Sequence, residues 1–121
     1  MGVVKSVIDM ARDEIIEKLD ETYAIPKLIV KRRRQLLVHS IIYYEMNDSM
    51  ISDAMWTKWA IELENLQKKY PEIAKHCLYA KEFEGFDHST GYHLPLNDPW
   101  GVRKARELIA YRDKHIFEPP F

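Results

Sequence analysis

The sequence is poor in the residues that build disulfide-bonded or low-complexity chains, because its 121 residues include one cysteine, four glycines and six prolines. A single cysteine, Cys77, excludes a disulfide within the chain and is typical of a reducing compartment. No apolar run approaches the roughly 20 residues that cross a bilayer, and the N-terminus lacks the apolar core of a secretory signal. We therefore expect a cytoplasmic protein without membrane contact.

A charge excess of either sign is also missing, since 18 basic and 19 acidic residues leave a net charge of -1 at pH 7. Nucleic-acid-binding domains usually carry a strongly basic surface, so we do not expect this chain alone to bind nucleic acid. One local basic run, residues 31–34 (KRRR), lies in a predicted helix that spreads its side chains around the circumference. We interpret this run as a solvated face that pairs with acidic neighbours rather than as a phosphate site.

Apolar residues are abundant, at 46% of the chain with 12% aromatic, which is enough to bury the core of one domain. Their three- and four-residue spacing predicts four helices, residues 4–22, 26–46, 52–69 and 98–115. Ser52 or Asp53 is expected to cap the third helix, and Asp98 the fourth. The expected fold is mainly α, a small helical bundle around the helical hairpin of residues 26–69.

The junction between the first two helices is predicted to be a break. Pro26 disfavours the helical conformation at Ile25, so we expect the first helix to end at residues 23–25 and the second to begin at Pro26. The second helix carries an unusually wide apolar surface, which indicates two packing partners. We expect these partners to be the first and third helices.

Four shorter segments complete the predicted organisation. Residues 71–75 predict a short extra turn, and residues 78–97, punctuated by glycine and proline, predict a loop or a small hairpin. The tail from Ile116 onward is predicted to be extended. Residues 1–6 match the myristoylation pattern, but we interpret them as the start of the first helix.

The end of the hairpin gathers residues that suit a ligand site. Tyr43 and Tyr44 finish the second helix, a polar turn follows, and Asp53 and Trp56 open the third helix. Aromatic side chains at such a turn commonly cover the end of a core, and Asp53 also fits a helix cap. Two interpretations therefore stay open, a ligand site and a structural fastening of the two helices.

The stretch between Arg32 and Glu72 resembles the N-terminal helical module (domain Ia) of NAD-dependent bacterial DNA ligases. The resemblance covers about a third of the chain and rests on four pieces in register: the aromatic pair Tyr43 and Tyr44, residues 51–57 (ISDAMWT), residues 62–64 (ELE) and residues 70–72 (YPE). The ligase pattern at the second piece is Ile-x-Asp-Ala-x-Tyr-Asp. The later segment GFDHSTGYHLPLNDPW and the chain length resemble short stand-alone "ligase-related" proteins of bacterial viruses.

The resemblance implies a ligand, because the ligase module binds the nicotinamide mononucleotide (NMN) half of NAD. The implied positions in this sequence are Tyr43, Tyr44, where the family has histidine, Asp53, Trp56, where it has tyrosine, and Thr57, where it has aspartate. The rings of Tyr43 and Trp56 would sandwich the cationic nicotinamide, since indole is the best cation-π face. The missing imidazole and second carboxylate reduce the charge complementarity between the site and NMN.

The resemblance does not extend to catalysis. Nucleotidyl transfer in the ligases requires a Lys-x-Asp-Gly site, and the sequence contains no such tetrapeptide. We therefore expect no enzyme activity and no required cofactor. The first hypothesis is a small non-catalytic protein, phage-encoded and acting in a bacterial cytoplasm, that binds a protein partner. The second is a binder of NMN, NAD or a related nucleotide, and the third is an accessory piece of an adenylating enzyme in trans.

A second candidate site lies between Gly85 and His93. This segment is rich in turn formers yet carries the candidate residues Phe86, Asp87, His88, Tyr92 and His93. Loops that bear aromatic residues often serve recognition, so an interaction loop is one interpretation. A lid folded over the hairpin, with Phe83 and Leu94 helping to plug its open side, is the other. Zinc usually needs three or four convergent ligands, which the spacing of the histidines does not provide, and we predict no metal site.

Overall fold

The computed structural model describes the backbone of residues 7–117 and the side chains of residues 11–115. Its helices are α1 (Val7–Leu19), α2 (Ile25–Glu45), α3 (Asp53–Lys69), α4 (Pro71–His76) and α5 (Pro99–Phe117), with a π-helical turn at Asp20–Ala24. No strand occurs in this part of the chain, so the predicted mainly α fold is confirmed, and residues 77–98 form turns and loop rather than a hairpin of strands. Within residues 7–117, no helix has the length and apolar character needed to cross a bilayer.

Helix α2 is the centre of the bundle and packs against α3 on one side and α5 on the other. The core is formed by the buried side chains of Ile29, Leu36, Leu37, Val38, Ile41, Ile42, Ala60, Leu63, Ala74, Phe83, Leu94 and Ala105. Helix α5 approaches α2 closely at Gly101, where an added Cβ would lie 2.6 Å from the Cδ1 atom of Ile41. A side chain at this position would therefore push α5 away from α2.

The helix starts that the sequence predicts are confirmed by their caps. The Ser52 hydroxyl accepts a hydrogen bond of 3.1 Å from the backbone N–H of Met55 at the start of α3. The carboxylate of Asp98 accepts one of 2.8 Å from Gly101 N–H at the start of α5. Asp98 also accepts a hydrogen bond from the Tyr79 hydroxyl, and burial together with this bond raises the pKa of Tyr79 to about 12. Both caps satisfy N–H groups that have no partner inside the helix.

The predicted break between α1 and α2 is wrong. The backbone stays helical from Val7 to Glu45, and the π-helical turn just before Pro26 carries a hydrogen bond from Ile25 N–H to Asp20 O. A proline inside an α-helix loses one hydrogen bond and crowds the carbonyl four residues earlier. The wider π turn re-pairs the backbone at this point, so the helix continues where the sequence rule predicts an end.

The predicted packing partner of α2 is also wrong in part, because the main contacts of α1 are with the π-helical turn, whereas α2 packs in the bundle against α3 and α5. Its described apolar side chains, including Ile15 and Leu19, are exposed to solvent. The position next to α2 that was expected for α1 is occupied by α5. The predicted extended tail begins too early, since α5 continues to Phe117. Residues 1–6, with the lipidation pattern, and residues 118–121 lie outside the described part of the chain.

The interior of the bundle contains one charged side chain, Arg33, which is 1% exposed. Its guanidinium donates to the side-chain oxygen of Gln67 and to the backbone carbonyls of Ala74, Cys77 and Leu78 at distances of 2.8 to 3.1 Å. Burial lowers its pKa from the usual value, yet a guanidinium keeps its proton at neutral pH. The interpretation of the whole basic run as a solvated face is therefore wrong at Arg33, which joins α2 to α3, α4 and the following loop.

We expect Arg33→Ala to lower the free energy of unfolding by about 3 kcal/mol or more, because it removes the five hydrogen bonds of a buried side chain and leaves a cavity in its place. Urea denaturation followed by circular dichroism measures the change. The matched control is Arg103→Ala, which removes an exposed arginine from α5 and should change stability by no more than about 0.5 kcal/mol. Equal effects of the two substitutions would contradict the structural role of Arg33.

An ion pair between Arg112 and Asp48 holds the turn between α2 and α3 against α5. The Arg112 guanidinium donates to both carboxylate oxygens of Asp48, at 2.9 and 2.7 Å. These hydrogen bonds, with a further one from the backbone N–H of Ser49, lower the pKa of Asp48 from 3.8 to about 2. Since a depressed pKa marks an interaction of the ionised carboxylate, the pair stabilises the fold above about pH 4 and this contribution is lost as the pH falls toward 2.

We expect Asp48→Asn to be less stable than the wild-type chain by an amount that is constant near neutral pH and that shrinks as the pH falls from about 4 to 2. The variant lacks the carboxylate whose ionisation links folding to pH. Urea unfolding of both proteins at a series of pH values measures the difference. A difference that stays the same down to pH 2 would show that the ion pair does not carry it.

Candidate functional site

A cavity of about 230 Å³ lies at the end of the α2–α3 hairpin. Three segments form its walls: the last turns of α2, the turn and first turns of α3, and the loop at residues 88–91. The lining residues are His39, Ser40, Tyr43, Tyr44, Ser49, Met50, Ile51, Ser52, Asp53, Trp56, Thr57, His88, Ser89, Thr90 and Gly91. All five residues that the ligase resemblance implies as ligand contacts therefore line one cavity.

Helix geometry explains why these side chains converge. Ser40, Tyr43 and Tyr44 recur at three- and four-residue steps on the same side of α2, and Asp53, Trp56 and Thr57 do so at the start of α3. The Ser52 cap fixes where α3 begins and hence which residues of its first two turns face α2.

The indole of Trp56 is held in place from two sides. Its Nε1–H donates a hydrogen bond of 3.2 Å to the hydroxyl of the buried Ser40, and the ring of Phe86 contacts it edge-on with centroids 6.4 Å apart. Gly91 lies against both groups, because an added Cβ would overlap Ser40 Oγ and reach within 3.0 Å of Trp56 Cζ2. The absence of a side chain at residue 91 therefore lets the loop close over the cavity.

The loop at residues 85–93 is held over the hairpin by polar contacts at His88 and Thr90. Glu64 accepts hydrogen bonds from the backbone N–H of His88 at 2.9 Å and contacts its Nδ1 at 3.1 Å. The hydroxyls of Tyr44 and Thr90 lie 3.0 Å apart. The hydrogen bond from Lys68 and those from His88 lower the pKa of Glu64, so this carboxylate is ionised at neutral pH and keeps the loop attached.

The five candidate residues of this loop have different environments. His88 lines the cavity, whereas Phe86 points inward and packs against Phe83 and Trp56. The Asp87 carboxylate accepts a hydrogen bond from Ser89 N–H, which lowers the pKa of Asp87. Tyr92 and His93 are exposed. Phe83 and Leu94, in contrast, are buried, as the lid interpretation expects.

The charge of the cavity comes from one group. Asp53 is the single carboxylate among the lining residues, and no lysine or arginine lines the cavity. Asp53 is exposed, and within residues 11–115 no hydrogen bond or ion pair of its side chain is found. A site of this composition favours neutral or cationic groups and offers no cation for a buried phosphate.

His39 is a lining residue that sequence reasoning did not single out. Its ring lies 5.8 Å from that of Trp59, and its Nδ1 atom is buried without a hydrogen-bond partner among the described residues. Burial lowers the pKa of His39, so its imidazole is neutral at pH 7. The signal in the sequence was its position one helical turn before Tyr43, which places both on the same side of α2.

In the residues 7–117, no group of three or more histidine, cysteine, aspartate or glutamate side chains is arranged to hold a metal ion. The groups that line the cavity are hydroxyls, aromatic rings, one carboxylate and two imidazole rings.

Comparison with curated proteins finds a ligase relative. A region of 67 residues, 55% of this chain, is 33% identical to a protein described as a DNA ligase from Endomicrobium trichonymphae, of whose length it covers 10%. This chain thus matches about a tenth of the relative's length. No family model matches the chain, and no solved structure matches it. The cavity lies at the end of a helical hairpin. The chain therefore contains a region related to DNA ligase.

Proposed function

We propose that the protein is a non-catalytic relative of the N-terminal module of NAD-dependent DNA ligases and binds a nicotinamide nucleotide in the cavity at the end of the hairpin. The observation that carries this proposal is that Tyr43, Tyr44, Asp53, Trp56 and Thr57 all line one cavity. These positions are separated by up to 14 residues in the sequence, and the resemblance alone implies them. Of the three hypotheses, a small-molecule binder is the one that this geometry supports best.

The size of the cavity selects among nicotinamide ligands. Pockets for drug-sized ligands typically measure about 300 to 1,000 Å³, and this cavity measures about 230 Å³. It suits the nicotinamide ring and ribose, whereas the phosphate of NMN, for which the cavity offers no cation, and the adenylate half of NAD would extend into solvent. We therefore propose NMN as the preferred ligand and expect NAD to gain little from its second nucleotide.

The lining residues match the chemistry of an oxidised nicotinamide ring. The ring is cationic and flat, so the faces of Tyr43 and Trp56 attract it through cation-π interactions. Asp53 offers a carboxylate to the ribose hydroxyls or to the carboxamide. The imidazole that is missing at residue 44 is supplied to the same cavity by His39, which offers a neutral ring nitrogen.

A protein partner is the second candidate function, and one observation favours it. Tyr43 and Tyr92 are 56% and 63% exposed at the rim of the hairpin end, and exposed tyrosines are enriched in protein interfaces. The looser resemblance of residues 85–100 to stand-alone viral proteins is consistent with a partner in a bacterial cytoplasm. Under this alternative the cavity would accept a side chain of the partner.

We expect the purified chain to gain several degrees of thermal stability with NMN at about 100 times its dissociation constant, since binding then adds about 2.7 kcal/mol. ADP-ribose, which lacks the nicotinamide ring, should give no shift.

Asp53→Asn should weaken NMN binding about tenfold by removing a charge-assisted hydrogen bond. Thr57→Asp, which restores the second carboxylate of the ligase pattern, should strengthen binding.

The control for these variants is Glu72→Gln, which neutralises an exposed carboxylate on α4 and should leave the NMN affinity unchanged. Calorimetric titration measures all affinities, and circular dichroism shows that each variant remains folded. If no nicotinamide compound binds the wild-type chain, the small-molecule proposal fails and the aromatic rim becomes the surface to test against protein partners.

We expect Gly91→Ala to weaken NMN binding about tenfold because the added methyl group overlaps Ser40 Oγ and displaces the loop that forms one wall. Tryptophan fluorescence, with Trp59 and Trp100 replaced by phenylalanine so that Trp56 is the remaining tryptophan, reports the displacement. Combining Gly91→Ala with Ser40→Ala removes the overlapping hydroxyl and should restore part of the affinity. Normal binding by Gly91→Ala would show that the loop does not form a wall of the binding site.

A further inference from the structure

Helix α1 carries an exposed apolar face. Ile15, Ile16, Leu19 and Tyr23 are 59%, 50%, 50% and 62% exposed, although they lie within nine residues of one another. Ile15, Ile16 and Leu19 lie on α1 and Tyr23 on the π-helical turn that follows it, and the main contacts of α1 are with that turn. Clustered apolar side chains on a soluble chain commonly mark an interaction surface, so this face has the properties of one half of an interface.

Acidic residues outnumber basic residues in α1 and the π-helical turn. Residues 7–24 contain six acidic and two basic residues. The residues that follow reverse the sign, because residues 25–35 contain five basic residues and no acidic one. The two oppositely charged segments are halves of one continuous helix, since the backbone stays helical from Val7 to Glu45. Arg33 is buried and Arg32 pairs with Glu62, so the basic surface beside the acidic one is formed mainly by Lys27, Lys31 and Arg34.

The basic half of this helix contains a shallow apolar groove. The groove is lined by Pro26, Lys27, Val30, Lys31, Arg34 and Gln35. Lys27 and Lys31 are exposed, and Arg34 lies over the ring of Trp100, with 4.8 Å between its Cζ atom and the ring centroid. An apolar floor edged by cations fits a helix that has apolar residues along one side and carboxylates beside them.

We propose that this groove binds α1 of a second copy of the chain, so that two chains form an antiparallel dimer through α1 and the first half of α2. The helix that fits the groove is present in the chain itself, with Ile15 and Leu19 to cover the apolar floor and Glu17 and Glu21 to face the lysines. In a two-fold arrangement each α1 meets the other chain's groove, so every contact is made twice.

The lengths of α1 and of the groove agree with this pairing. The 13 residues of α1 extend over about 20 Å at 1.5 Å per residue, and the groove over residues 26–35 is about 15 Å long by the same measure. The surface lies at the first half of α2, whereas the ligand cavity is lined by residues from His39 onward. The proposal is therefore independent of the nicotinamide site.

The experiment measures molar mass by sedimentation equilibrium at micromolar to submillimolar concentrations of the full chain. We expect the wild-type chain to dimerise, and Ile15→Ser combined with Leu19→Ser to weaken the dimer about tenfold or more. These side chains are exposed in the single chain, so circular dichroism and urea stability of the monomer should stay unchanged. Higher salt should weaken the wild-type dimer because exposed charges are screened.

A charge-reversal pair identifies the two contacting surfaces. Lys27→Glu with Lys31→Glu in one chain, and Glu17→Lys with Glu21→Lys in another, should each abolish the homodimer, because like charges then face each other. An equimolar mixture of the two variants should form a heterodimer, since each chain again offers the other an opposite charge. The control is Lys58→Glu, an exposed reversal on α3, which should dimerise like the wild type.

Three outcomes would overturn the proposal: a wild-type chain that is monomeric throughout the concentration range, a dimer that the Ile15 and Leu19 substitutions leave intact, or charge-reversed chains that fail to pair when mixed. If the wild-type chain is monomeric and its α1 instead binds a foreign protein, the exposed face is an interface for that partner and not for a second copy.

Discussion

The buried guanidinium of Arg33 is the interaction on which the arrangement of the other elements depends. A charged group with 1% exposure is costly unless its donors are all used, and here they are used by Gln67 and by three backbone carbonyls from residues 74–78. Those carbonyls lie at the end of α4 and in the loop after it, where those of Ala74 and Cys77 also accept backbone hydrogen bonds from Cys77 and Ala80. Gln67 in turn donates to the carbonyl of Phe83, so one side chain on α2 fixes the start of the long loop.

This attachment explains how a loop without strands acquires a defined position. With its start fixed near Arg33 and its end fixed by the Asp98 cap of α5, the segment has to cross the end of the hairpin. Phe83 and Leu94 enter the core, and the residues between them form a wall of the cavity. The cavity is therefore a consequence of the loop anchors as much as of the aromatic residues on the helices.

The proposed dimer interface and the ligand cavity lie in different parts of the same long helix. The first half of α2 is basic and forms, with α1, the proposed dimer interface. The last turns of α2 carry the aromatic residues of the cavity. Such a separation allows one small chain to bind a ligand at one end and a protein surface at the other. The ligase-related region accounts for 55% of the chain.

Local sequence determined the helices and most of their boundaries, because a cap or an apolar repeat acts within a few residues. Ser52 and Asp98 could be identified as caps, and the stripe containing Ala60 and Leu63 could be assigned to the core. Their position at the predicted turn singled out Tyr43, Tyr44, Asp53 and Trp56, and the resemblance to the ligase module added Thr57. Sequence reasoning did not identify His39, since its one signal, a position one helical turn before Tyr43, does not by itself distinguish a core residue from a cavity residue.

Only the tertiary structure decided which helix packs against which and which polar group is buried. The sequence rule for Pro26 predicts an end of helix, yet the continuous backbone with a π turn carries α1 away from the bundle and leaves its place to α5. The basic run predicts four solvated side chains, yet Arg33 alone is buried because distant carbonyls meet it. Both results depend on contacts between residues far apart in the sequence, and for that reason the local pattern that determines a helix does not determine its neighbours.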